Sequence, residues 1–174
     1  MNEDKKAYEA LLCARNKVYA AVSLFEAQGE ESFLIFRDLQ GTFGPSSEIG
    51  CIGIHSLSGN MVLHPMQPSI EGRNLLNLCD STGFPYVQAM NWVIENHHEG
   101  WVLYLWTNPS TQREEIKASF IKGAEFNQNK YFVGCGLYGV SKELIQSLFS
   151  EDFVCDGLSY LKERPKSKVP YQKQ

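Results

Sequence analysis

The chain has 174 residues, 43% of them hydrophobic and 12% aromatic, enough for one ordinary core and short for two. Its 16 Lys and Arg against 20 Asp and Glu leave a net charge of −4, which argues against a phosphate backbone as the main partner, so no nucleic-acid groove is expected. Five cysteines, at positions 13, 51, 79, 135 and 155, form no CxxC pair; they suggest neither a zinc site nor a dense disulfide framework, and read as small buried apolar side chains.

The first residues, MNEDKKAYEA, are charged and lack the apolar core of a signal peptide, and no apolar run approaches the roughly 18 residues of a membrane span. From Glu3 to about Gln28 there is no Pro or Gly, and Tyr8, Leu11, Leu12, Val18, Tyr19, Val22 and Phe25 recur at helical spacing. This predicts one long amphipathic helix ending near Gly29. A second, shorter helix fits Glu31 to Leu39, with Gly41 as its stop. From Cys51, CIGIHSL, SGN and MVLHP read as a β-hairpin, with His64 at the end of its second strand. The following MQPSIEGRNLLNLCDSTG is too rich in Pro and Gly for a long element. Phe84, Val87, Met90 or Asn91, and Ile94 then follow a helical period, with Ser81 or Thr82 as cap and Pro85 in the first turn. That helix ends at His97-His98-Glu99-Gly100.

Next come two alternating segments joined by an Asn108-Pro109-Ser110 turn. In the first, Val102, Tyr104 and Trp106 face one way; in the second, Ile116 to Lys122, one face carries Lys117, Ser119 and Ile121. Which face joins Tyr104 depends on register, and pattern alone leaves that open. After the polar turn GAEFNQN, KYFVGCGLY predicts a third long strand, followed by a helix from Ser141 to Phe149. The last residues, from Asp156, form a polar basic tail. Short antiparallel connections and one sheet flanked by helices make the fold α+β, with a helix over 1–30, one domain over 31–155 and the tail over 156–174.

Three stretches carry a resemblance: GNMVLHPMQPSIEGRNLLNLCDSTGFPYVQAM, GWVLYLWTNPSTQREEIKASFIK and KYFVGCGLYG. In this order they resemble the single Cache domain of bacterial sensors, the type found in chemoreceptors and histidine kinases, over about residues 31 to 140. The resemblance implies a PAS-like antiparallel sheet preceded by a long helix. It also implies a periplasmic or otherwise extracytoplasmic domain that binds a small metabolite such as a short carboxylate, serves signal transduction or chemotaxis, and needs no catalysis and no cofactor. A receptor continues into a membrane helix and a signalling module; this sequence reads instead as an excised or free-standing sensor domain. Signal transfer would then fall to a second copy paired through the long helix or to a separate signalling partner.

A carboxylate taken out of water needs a positive partner and several donors. Lys117 or Lys122 could supply the charge, while the Tyr104 hydroxyl, the Trp106 indole N–H and His64 could orient the oxygens. The family's motif lysine falls on Lys117. Ser119 lies on the same strand face as Lys117, and Tyr138 follows Gly134 and Gly136 on theirs. A rival reading starts from the literal GxGxxG at 134–139, which follows a strand, precedes a helix and is trailed by Asp156: an NAD(P)-binding enzyme. Against it, only 35 residues follow Gly139, too few for further βαβ units. No GxSxG, HExxH or paired-Cys spacing points to catalysis.

Overall fold

In a computed structural model of the chain, residues 3–46 and 48–163 are described. Helix α1 (Glu3–Gln28) runs unbroken because nothing in it interrupts the helical ladder. Its Leu11, Ala14, Val18, Ala21, Val22 and Phe25 form one fully buried stripe. A 3₁₀ turn (Gly29–Ser32) and a single helical turn, α2 (Phe33–Phe36), follow. The predicted second helix is thus much shorter than Glu31 to Leu39. Leu34, Ile35 and Leu39 are exposed and only Phe36 is fully buried, so there is little apolar face to extend it.

The hairpin forms as β1 (Ile49–Ser56) and β2 (Met61–Leu63). A 3₁₀ turn (Pro68–Ile70) and irregular chain lead to α3 (Tyr86–His97), which ends where His98 takes a left-handed φ of 66°. Neither Ser81 nor Thr82 caps α3; Pro85 is its N-cap residue. Strands β3 (Glu99–Thr107), β4 (Glu114–Phe126) and β5 (Asn129–Tyr138) are long and consecutive. The predicted polar turn GAEFNQN is mostly strand: β4 continues to Phe126, and the bend is confined to Asn127 and Gln128, with φ of 49° and 65°. Helix α4 (Lys142–Leu148) is capped by Ser141, whose hydroxyl accepts the Leu144 N–H. Beyond it are β6 (Val154–Cys155) and α5 (Gly157–Glu163). The first part of the expected tail is therefore a helix with Tyr160 buried; its remainder lies outside the described residues.

The strands form one sheet in the order β2-β1-β5-β4-β3-β6. It is antiparallel except at one edge, where β6 pairs parallel with β3, so the sheet is mixed and not purely antiparallel as expected. Strand alternation splits the core in two. On one face α1 packs against Trp101, Ala118, Phe120, Val133 and Leu137. On the other, α3 places Val87, Met90 and Ile94 against Val102, Tyr104, Ile121 and Phe132.

Register settles what pattern left open. Tyr104 lies opposite Lys117 and Lys117 opposite Tyr138, so all three share the α3 face. Lys122 belongs to the α1 face, where it pairs with Glu99 and lies over the Tyr19 ring at 4.8 Å. The Tyr19 hydroxyl also donates to Glu99.

Candidate functional site

The α3 face of the sheet is hollowed where β1 and β5 carry glycines. Gly53 lies opposite Gly134, so two neighbouring floor positions have no side chain. Above them is a half-open cavity of about 190 Å³, walled by Met61, His64, Leu75, Tyr86, Met90 and Tyr104 among others. A wider cleft of about 800 Å³ leads outward between the first turns of α1, the 45–50 loop and the β3–β4 turn. Lys117, His64, Cys51, Gln67, Trp106 and Gly136 line both, so the cavity opens into the cleft past Lys117.

Lys117 runs across Gly136. A Cβ at that position would overlap Lys117 Cε and stand 2.9 Å from Ser119 Oγ, so only glycine leaves the lysine its path. This close approach accounts for Gly136 in a strand interior. It also overturns the dinucleotide reading: Gly134 and Gly136 lie inside β5, not in a strand-to-helix turn that could cradle a pyrophosphate.

Among the described residues Lys117 has no carboxylate partner and no hydrogen bond. Its one charge contact is the Tyr138 ring, 5.8 Å from Nζ. Burial opposes its charge, but the acidic hydroxyl and thiol groups of Tyr104, Tyr138, Cys135 and Cys51 outweigh that and raise its pKa. Among the described residues no Asp or Glu lines the inner cavity.

The remaining expected residues line the cavity or the cleft that Lys117 joins. Tyr104 and Ser119 are both buried and share a hydrogen bond of 3.1 Å between Oη and Oγ. Tyr104 stacks on Tyr86, centroids 4.4 Å apart, and Trp106 meets Tyr86 edge-on at 5.6 Å. Trp106 is partly exposed and lines the passage from cleft to cavity. Tyr138 lines the outer cleft only, and its hydroxyl donates to the Thr107 carbonyl at 3.0 Å. His64 follows β2. Its backbone N–H donates to Glu71 Oε1 at 2.9 Å, and Arg37 grips the same carboxylate with two bonds of 2.9 and 2.7 Å. Burial first, and the nearby Lys117 second, lower the His64 pKa.

Several site residues lay outside the sequence reading. Tyr86, in the first turn of α3, supplies the aromatic platform. His55 lines the cavity from β1 and stacks on Phe132 at 4.7 Å. Strand alternation from Gly53 was the available signal for it. Asp80 ties the preceding loop to the sheet edge. Its carboxylate accepts the N–H groups of Thr82, Phe84 and Leu105 at 2.9–3.0 Å. Burial pushes the Asp80 pKa up, yet these bonds and the Thr82 hydroxyl bring it below its ordinary value. The buried Lys17 of α1 donates to the Gly44 carbonyl at 2.6 Å and to the Gly50 carbonyl at 3.4 Å, which ties α1 to the start of β1. Among the described residues no group of three or more His, Cys, Asp or Glu is placed to hold a metal ion.

Comparison with known proteins supplies the wider context. The sequence signature described as Cache domain matches residues 46–147. The methyl-accepting chemotaxis protein McpP of Pseudomonas putida is 26% identical over 110 residues, 62% of this chain; the match spans only 20% of that receptor's length. A solved periplasmic sensor domain of a chemotaxis protein is 25% identical, superposes with a TM-score of 0.55 and covers 79% of this chain and 94% of its own. A Cache chemosensory domain studied for carboxylic acid recognition is 19% identical, with a TM-score of 0.59 over 78% of this chain and 95% of its own; at that identity the likeness speaks for the fold.

Proposed function

Because the chain belongs to the Cache domain family of α+β, PAS-like sensor domains of signal transduction, and is a sensor and not an enzyme, we propose that it binds a short carboxylate in the inner cavity. The observation that carries this reading is Lys117: a cation without a counter-ion, lining a cavity that holds no acidic side chain. Such a cavity favours an anion. It disfavours amines, which add a second buried cation, and amino acids, whose ammonium would find no carboxylate.

Lys117 takes the carboxylate, while the Tyr104–Ser119 pair and the Trp106 indole orient its oxygens. Tyr138 and His64 close the site around the lysine. At about 30 Å³ per water, the cavity accommodates roughly six heavy atoms. At a ceiling of roughly −1.5 kcal/mol per atom such a ligand gains at most about −9 kcal/mol, so its Kd is no tighter than a few tenths of a micromolar. The relatives support this reading by their descriptions, one as a periplasmic sensor domain, another as a carboxylic acid sensor. We place this domain outside the cytoplasm on the same grounds. Signal output passes to α1, which backs the sheet opposite the cavity and whose Lys6, Ala7 and Ala10 line the outer cleft.

A thermal-shift screen tests the proposal with three sets of compounds: monocarboxylates of two to five carbons, the matching amines and the matching amino acids. Stabilisation by carboxylates alone is expected. Amines or zwitterions that stabilise the domain better than any carboxylate would overturn it.

A further inference from the structure

The inner cavity has a second polar feature, formed by two histidines. His55 and His64 both line it, and in each the Nδ1 atom is buried with no hydrogen-bond partner. Buried polar atoms are nearly always paired, so two orphaned nitrogens in one small cavity call for an explanation. His55 is set by the register of β1 opposite Phe132 on β5, whereas Lys117 lies opposite Tyr138, six positions further along β5. His55 therefore stands toward the opposite end of the cavity floor from the base of Lys117, while His64 lies near enough to both His55 and Lys117 to feel each of them.

We infer that His55, with His64 beside it, recognises a hydroxyl at the end of the ligand away from the base of Lys117, so that the preferred carboxylate carries a terminal hydroxyl group. This rests on the binding of a carboxylate by Lys117. His55 is held neutral by burial and by His64, and burial and Lys117 disfavour the charged form of His64 too. Each neutral imidazole offers one N–H and one lone pair. A hydroxyl both donates and accepts, so it can bridge the two rings whichever tautomers they adopt. A second carboxylate would be a buried anion with no cation of its own, and an ammonium would add a charge beside Lys117. A methyl group would leave both nitrogens unpaired. The His55 ring lies flat on Phe132, with 9° between the planes. A half-turn about its Cβ–Cγ bond keeps that stack and presents the nitrogen at either edge.

Isothermal titration with isosteric pairs tests this: 3-hydroxypropanoate against butanoate, and 4-hydroxybutanoate against pentanoate. In the unmodified chain the hydroxy acid of at least one pair is expected to bind about tenfold tighter or more, as two neutral hydrogen bonds allow. His55→Phe keeps the stack but no nitrogen, and should abolish the preference while retaining butanoate. His55→Gln keeps a donor and an acceptor and should retain part of it. Equal or tighter binding of the apolar member in both pairs would overturn the inference, as would a preference that survives in His55→Phe. If carboxylates bind through Lys117 without regard to the hydroxyl, this inference alone fails. If none binds, or Lys117→Met changes nothing, the carboxylate site fails with it.

Discussion

Replacing Gly136 with alanine adds one methyl group at the floor of the inner cavity, under the side chain of Lys117. The new Cβ would overlap Lys117 Cε and press on Ser119 Oγ at 2.9 Å. To regain ordinary carbon contact of about 3.5 Å, the Lys117 chain must move by about 1 Å. It is the far end of a flexible side chain, so the fold itself should tolerate the change; Gly136 has no left-handed φ to lose, and alanine suits a strand interior better. Binding should not tolerate it. A charge-assisted bond of about 2.7–2.9 Å does not survive a 1 Å displacement, and its loss costs about 1.5–3 kcal/mol, a drop of roughly 10- to 150-fold in affinity. Calorimetric titration with butanoate, alongside thermal melts, separates the two effects. Lys122→Ala is the control for binding, because Lys122 lies on the opposite, α1 face of the sheet. Unchanged butanoate affinity in Gly136→Ala, with melts matching the parent, would refute the placement of the ligand at Lys117.

Three further outcomes are expected. Lys122→Ala removes the ion pair with Glu99 on the α1 face and should cost about 1 kcal/mol in denaturant melts while leaving carboxylate affinity unchanged. Asp80→Ala frees the Thr82 and Phe84 N–H groups of its own loop and the Leu105 N–H of β3, and should destabilise by about 2–3 kcal/mol. Its pKa lies below the ordinary 3.8, so its contribution is complete above about pH 4 and lost as pH falls further. His55 has its pKa lowered from 6.5 to about 3 by burial and by His64. The unfolded chain gains this proton below 6.5 and the folded chain only near 3, so stability falls with falling pH across that window. Between pH 7 and 5 the parent should lose about 2 kcal/mol more than His55→Phe in urea melts.

The long elements were legible because their signals are local. The apolar stripe of α1, the alternation of β3 and the residues NQN at the β4–β5 bend need no knowledge of the rest of the chain. The six expected site residues could be named on strand faces and by family resemblance. Their grouping could not, since it depends on pairing: Tyr104 meets Lys117 only because β3 and β4 align Glu99 with Lys122. The choice between Lys117 and Lys122 turns on the same fact. His55 and Tyr86 went unnoticed because a lone histidine in a strand and a tyrosine in a first helical turn carry no pattern of their own. The glycines of β5 were visible within a predicted strand; the local sequence also fitted a dinucleotide turn, against which the length of chain after Gly139 already spoke. What decides them is the side chain of Lys117 crossing Gly136 from the neighbouring strand. Parallel β6 was missed for a related reason: its two residues are held by pairing with β3, not by a periodicity of their own.

The most direct test of the carboxylate site is a crystal structure of the domain grown with a short carboxylate. The expected result places one carboxylate oxygen about 2.7–2.9 Å from Lys117 Nζ, on the α3 side of the sheet, with the chain of the ligand running over Gly134. A carboxylate bound elsewhere, with Lys117 untouched, would contradict it.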